Sequence, residues 1–321
     1  YRNLLPPYTH QFANQCSRMD IYPLTIMYYL FAKDTIKWPT VNGKVSLRLE
    51  NINASNQLAS GMAHDAMVDV DATLELARKL RSNSTLWEFC CGYMQKNTDI
   101  SRINKLQNTE TIGEQVYPLA YVINGKIGVN KSFIAPAIGL GGHKVYKNQT
   151  LWLRLDNIDL ASIPTAELTE KVFTIKKKMG EGAIILPQHE RYATHLSADR
   201  AAQAEKNLTW LKANAQQFNT IKTYNENYTY PKVDNIDPDA ALYDLPFATR
   251  QQLAVMHQFH QAPLAEKPAI AQQLNCPAKT ELAQRLLCKH HYSAASAAAQ
   301  HEFNQHCSII FDPENNSVIN D

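Results

Sequence analysis

The chain of 321 residues carries 32 Lys or Arg against 30 Asp or Glu, a formal net charge of +2, so no strong overall field of either sign surrounds it. Hydrophobic residues make up 45% and charged residues 19%, which excludes a disordered or fibrous chain and leaves a globular one of two or three domains. No apolar run approaches the length of a membrane span, and nothing has the form of a signal peptide. The six cysteines are scattered without paired spacing, the usage expected in a reducing cytosol rather than in a disulfide framework.

In chain order, Tyr1 to Gln11 is aromatic and Pro-rich, with Pro6-Pro7 enforcing extended or turned backbone. Asp20 to Lys33 is strongly apolar and predicts a buried helix with Ile21, Leu24, Met27 and Tyr28 on one face. Asn42-Gly43 is a turn signal, and a short helix opening near Ser46 carries Leu49 and Ile52 inward. A longer helix follows His64 and runs to about Leu80, with Met67, Val70, Leu74 and Ala77 as its core-facing stripe, until Ser82-Asn83-Ser84 breaks it.

The texture then changes. Alternation at Leu119, Tyr121 and Ile123 before Asn124-Gly125 predicts a hairpin over Val116 to Val129. Phe133 to Ile138, Leu151 to Leu155 and Ala183 to Leu186 read as further strands of a small barrel or curved sheet. A helix with Leu208, Trp210 and Leu211 starts near Ser197. Past a polar, Pro-containing linker at Asp234 to Asp239 the pattern is helical, through Leu253, Met256 and Phe259, then Leu282, Leu286 and Leu287, then Ala294 to Ala299.

Candidate chemistry centres on His64 and Asp69, an imidazole just before a helix and a carboxylate in its first turns, a pairing that suits a metal-and-base site. Asp65 reads as a cap and Asp71 as part of a solvated face. Tyr8 and Phe12 are either stacking platforms for unpaired bases or core aromatics. Lys176-Lys177-Lys178 reads as a solvated helix end, with the wall of a nucleic-acid groove as its alternative. The cluster of Cys288, His290, His291, His301, His306 and Cys307 lacks zinc-ligand spacing and reads as ordinary core and surface residues. No phosphate loop, dinucleotide fingerprint or Ser nucleophile elbow is present.

The His64-Asp65-Ala66-Met67-Val68-Asp69 run, with Ile36-Lys37-Trp38-Pro39 and Ser46-Leu47-Arg48-Leu49-Glu50-Asn51-Ile52 before it, resembles bacterial exodeoxyribonuclease I, a family of the DEDDh exonuclease superfamily. Further matches stand at Tyr1-Arg2-Asn3, Ser17-Arg18-Met19-Asp20 and Ala241-Leu242-Tyr243, and the likeness is firmest from residue 1 to about 80. It implies an α/β architecture: the C-terminal part of a ribonuclease H-like exonuclease domain (1–87), an SH3-like β domain (88–232) and an all-α domain (233–321). It also implies 3′→5′ hydrolysis of single-stranded DNA with two Mg²⁺ ions, Asp69 as a metal ligand and His64 as the general base. Arg48 would hold a phosphate, and Tyr8 and Phe12 would contact the strand.

The implied partners are single-stranded DNA and the acidic C-terminal tail of single-stranded DNA-binding protein, with a monomer in the cytoplasm. The family's Asp-x-Glu motif and its second acidic motif have no match in this sequence, so the resemblance implies a fragment that is catalytically inactive alone. The segment Pro187 to Arg191 is shorter than its family counterpart, and no DNA contact is assigned there. The rival readings are an RNA or oligonucleotide exonuclease and a non-catalytic protein that binds single strands.

Overall fold

The computed structural model describes residues 3–6, 18–61, 66–231, 234, 236–241 and 244–312. The chain forms two compact units, one of residues 18–230 and one of residues 1–17 together with 231–321.

In the larger unit, helix α1 (Ile21–Phe31) starts at Asp20, whose carboxylate accepts the Tyr22 N–H at 3.0 Å. Its residues are apolar nearly all round, so it is buried nearly all round, with Leu24, Ile26, Met27 and Tyr28 at the centre of a core. Strands β1 (Thr40–Val41) and β2 (Lys44–Val45) form a two-stranded ribbon. Asn42 and Gly43 turn between them at φ 51° and 75°, the left-handed pair an Asn-Gly turn supplies. Helices α2 (Leu49–Asn56), α3 (Ala66–Arg81), α4 (Ser84–Cys91) and α5 (Lys96–Asn104) follow. Asn83 separates α3 from α4 by accepting the Leu86 N–H at 3.1 Å, the cap that its position in the Ser-Asn-Ser break requires.

The α3 face expected to be core is instead exposed: Met67, Val70 and Leu74 are 65%, 56% and 46% accessible. Ala72, Leu76 and Leu80 are the buried row. The helix carries two apolar stripes, both at helical spacing, and the one that packs on α1 is the second.

The β region is one antiparallel sheet of β3 (Thr109–Ile112), β4 (Gln115–Ile123), β5 (Ile134–Gly142), β6 (Gln149–Arg154), β7 (Thr174–Lys178) and β8 (Ile184–Pro187). The order is β3-β4-β5-β6-β7, and β8 pairs with the second half of β4. In a flat sheet β7 and β8 would stand about 19 Å apart, four strand spacings. Yet only residues 179–183 join them, and that link folds back where the Glu181 N–H meets the Lys178 carbonyl at 3.1 Å. The sheet therefore curls and brings its edges together. The one-turn helix α6 (Leu168–Lys171) sits in the β6–β7 connection and α7 (Glu190–Ala193) follows β8, and α8 (Ala198–Ala213) with α9 (Ala215–Asn227) packs Leu211, Phe218 and Ile221 onto Leu119, Ile138 and Leu151.

Two local readings are corrected here. The Asn124-Gly125 turn does not form, because Asn124 is extended (φ −155°) and its side chain accepts the Lys126 N–H at 2.8 Å. Two 3₁₀ turns then lead on to β5, and the tight hairpin is β3–β4, around Gly113 at φ 62°. Lys176-Lys177-Lys178 is not a helix end but part of β7, with Lys177 buried and its two neighbours on the opposite face.

The smaller unit is all-α: α10 (Arg250–Gln261), α11 (Lys267–Gln272), α12 (Pro277–His291) and α13 (Ala297–Ile310). Thr249 and Gln252 cap α10 reciprocally. Met256, Phe259, Ile270, Leu282 and Leu287 form its core, joined by Leu4. Among the described residues no helix is long and apolar enough to cross a membrane.

Candidate functional site

The site is built where α2 hands over to α3. Gln57 ends α2 in the left-handed region at φ 51°. Asn53 then pins the outgoing chain, its Oδ1 accepting the Leu58 N–H at 3.1 Å and the Ala59 N–H at 2.8 Å. Gly61 follows at φ +135°, where a Cβ would lie 2.5 Å from Val68 Cγ2. Gly61→Ala should therefore cost about 2 kcal/mol, from left-handed strain and overlap together. Thermal unfolding should show a melting point several degrees lower, with Gly61→Ala/Val68→Ala recovering only the steric share.

Asp69 lies in the first turn of α3, half-buried, where the helix dipole favours a carboxylate. It lines a cleft of about 860 Å³ together with Glu50, Asp71 and Glu75. The one cationic side chain of that lining, Arg78, is ion-paired with Glu75. The cleft is thus acidic, and its hard oxygen donors suit a divalent cation such as Mg²⁺.

The grouping is incomplete for a pair of ions. Among the described residues, the set with ligand atoms all within 4.8 Å of one another is Asp237, Asp239 and His306 of the smaller unit, not the Asp69 cleft. Arg285 already occupies that trio, with Nη1 at 2.7 Å from Asp237 Oδ1 and 2.9 Å from Asp239 Oδ2, and Nη2 at 2.8 Å from Asp237 Oδ2. Burial pushes the Asp237 carboxyl up, but the Arg285 guanidinium and the Asp239 N–H outweigh it and hold the group below the usual range. A guanidinium seated between the carboxylates repels a second cation, so the trio reads as an ion-pair lock on the 236–240 loop.

Arg48 stands at the N-cap of α2, highly exposed, 3.6 Å from Glu50. It lines a neighbouring cleft of about 550 Å³ that shares Leu49 and Glu50 with the first. Asp69 and Arg48 thus flank the same stretch of α2, in adjoining clefts. His64, Tyr8 and Phe12 lie outside the described residues. Sequence reading missed Asn53, Glu50 and Glu75. The signal for the last was present: Asp71, Glu75 and Arg78 recur at i, i+4 and i+7 and so share a helix face.

No protein-family model matches the chain. Exodeoxyribonuclease I of Escherichia coli (strain K12) is 28% identical over 192 residues, 58% of this chain and 38% of that protein. Its counterpart in Haemophilus influenzae is 29% identical over 191 residues, 57% and 38% of the two chains. Over more than half of its length the chain is thus similar to exodeoxyribonuclease I proteins. The match to these exodeoxyribonuclease I proteins spans under two fifths of their length. The fold agrees: E. coli exonuclease I in complex with an oligonucleotide superposes with a TM-score of 0.78 at 19% identity, over 99% of this chain and 69% of that one. The SSB/exonuclease I structure with an inhibitor gives 0.73 at 19% identity, over 98% and 68%.

Proposed function

We propose that this chain carries part of a 3′→5′ exonuclease that degrades single-stranded DNA. The observation that carries the reading is the sequence similarity to exodeoxyribonuclease I; by the resemblance of the His64 to Asp69 run, Asp69, on the wall of an acidic cleft, would take the family's last acidic position. Asp69 would be one hard ligand of a Mg²⁺ pair, whose chemistry is to lower the pKa of water and neutralise phosphate oxygens. His64 would accept the proton of the attacking water, and Arg48 would hold a phosphate in the adjoining cleft, with Tyr8 and Phe12 stacking on the strand. The curled sheet would correspond to the SH3-like domain of 88–232 and the all-α region to 233–321. The reading includes the cytoplasm, a monomer and repair of damaged DNA as setting.

The acidic tail of single-stranded DNA-binding protein is the proposed protein partner. An apolar cleft of about 610 Å³ among Met27, Leu30, Phe31, Leu86 and Phe89, with Arg191 beside it, suits such a peptide.

The described residues do not by themselves hold two cations, and the family's first two acidic motifs have no match in the sequence. Incubated with Mg²⁺ and 5′-labelled single-stranded DNA, this chain should bind the strand with an affinity that falls steeply with salt, and should not shorten it. Shortening from the 3′ end at enzymatic rates would overturn the ligand accounting. Failure to bind would overturn the substrate.

A further inference from the structure

A second surface of the larger unit, whose tyrosines line neither cleft, is rich in tyrosine and lysine. Its frame is the β5–β6 connection. His143 is buried there, and its Nδ1 accepts the N–H groups of Val145 and Tyr146 at 3.1 and 3.2 Å. Burial pushes the His143 imidazole below its usual range, which keeps Nδ1 free to accept. The turn so fixed leaves Val145 exposed and sets the Tyr146 ring 4.6 Å from the His143 ring.

The end of α9 is fastened onto this turn. The Lys144 N–H donates to the Glu226 carbonyl at 2.9 Å, and the Tyr230 N–H donates to Tyr146 Oη at 3.3 Å. The rings of Tyr146 and Tyr230, of Tyr230 and Tyr228, and of Tyr228 and Tyr224 follow one another at 5.9, 5.6 and 6.2 Å. Lys176 on β7 lies 4.0 Å from the Tyr228 ring centre and 5.0 Å from that of Tyr230.

We infer that this row of tyrosines is a second contact for single-stranded nucleic acid, distinct from the Asp69 and Arg48 clefts. The inference rests on the nucleic-acid reading above for the identity of the strand. Tyr230 is 61% and Tyr224 43% exposed, and none of the four tyrosines lines either cleft. Ring faces open to water stack on any unpaired base, whereas duplex bases are already stacked on each other.

Charge favours a polyanion. Lys126 adds its repulsion to Lys176, and Lys144, Lys147 and Lys222 belong to the same turn and helix end. The carboxylate among them, Glu226, is largely buried and already paired with Lys222 at 2.8 Å and Lys144 at 3.5 Å. Phosphates would supply counter-charge to Lys176 and its lysine neighbours. A cationic ligand is disfavoured, because Lys176 already sets a cation over one side of the Tyr228 and Tyr230 rings.

The test is fluorescence anisotropy of the whole chain with a labelled mixed-sequence 20-mer, single-stranded or duplex, at two salt concentrations. Tyr224→Ala/Tyr230→Ala should weaken single-strand binding about ten-fold and leave duplex binding unchanged, and Tyr224→Phe/Tyr230→Phe should bind like the parent. Lys176→Gln should lower the salt slope by about one. Circular dichroism confirms that each variant is folded, and both tyrosines are exposed enough for truncation to be tolerated.

If folded Tyr224→Ala/Tyr230→Ala binds like the parent while Arg48→Ala weakens binding, this second surface is refuted and the nucleic-acid reading stands. If the unsubstituted chain binds no single strand, both fall. An acidic peptide that displaces the strand only when the tyrosines are present would also overturn it, by making the surface a protein contact.

Discussion

Under the proposed function, Asp69→Asn in the full-length protein should lower metal-dependent turnover on single-stranded DNA roughly a thousand-fold, the several kcal/mol a catalytic cation would contribute to transition-state charge. The substitution keeps the shape of the side chain and removes its charge, so strand binding should stay within a few-fold. Asp71→Asn is the internal control, because Asp71 lines the same cleft but is exposed and has no matched role. Under the same proposal His64→Ala should lose roughly 10²–10⁴ in rate while still binding DNA, since the proposed base would be removed and the proposed metal ligands would stay. Near-normal turnover in folded Asp69→Asn would end the assignment; equal losses in Asp69→Asn and Asp71→Asn would point to the field of the whole cleft rather than to one ligand.

The sequence carried the position of Asp69 well and the surroundings of Asp69 poorly. A helix after His64 was readable because apolar residues recur at 3.6, and α3 does run to Arg81. Which side of it is buried was not readable. Met67, Val70 and Leu74 repeat as regularly as Ala72, Leu76 and Leu80, and periodicity cannot say which stripe has a partner. Helix α1 posed no such choice, being apolar on every side.

Turns divided on the same grounds. Asn42-Gly43 took the left-handed pair that its residues favour, whereas Asn124 spent its side chain on the Lys126 N–H and stayed extended. In the lysine run, composition reports three charges and not their alternation across a strand. The pairing of Lys177 depends on a residue 78 positions away, Asp99, beyond any local signal.

That pair gives the largest expected effect on stability. Lys177 and Asp99 are both fully buried, with Nζ and Oδ2 2.6 Å apart, linking β7 to α5. Asp99 Oδ2 also accepts the Gly180 N–H at 2.8 Å, and Lys177 donates to the Glu181 carbonyl, so one carboxylate organises the whole β7–β8 link. Asp99→Ala leaves the ammonium in the interior with a single carbonyl for company, which should cost about 4 kcal/mol. For a unit of this size the melting point should fall by about 10 °C. Asp99→Leu/Lys177→Met removes both charges and should recover most of the loss, because the pair's own attraction does little more than offset its desolvation. Burial pushes the Lys177 pKa below its ordinary 10.5, with Asp99 opposing. Without Asp99 that opposition is gone and the depression deepens. The folded state then releases its proton at lower pH than the unfolded chain, so stability lost below that point returns as pH climbs towards 10.5. The deficit of Asp99→Ala should therefore shrink between neutral and alkaline pH, measured by denaturant midpoints at each pH. A deficit that does not change with pH, or a double variant no more stable than Asp99→Ala, would mean that packing and not the buried charge sets the loss.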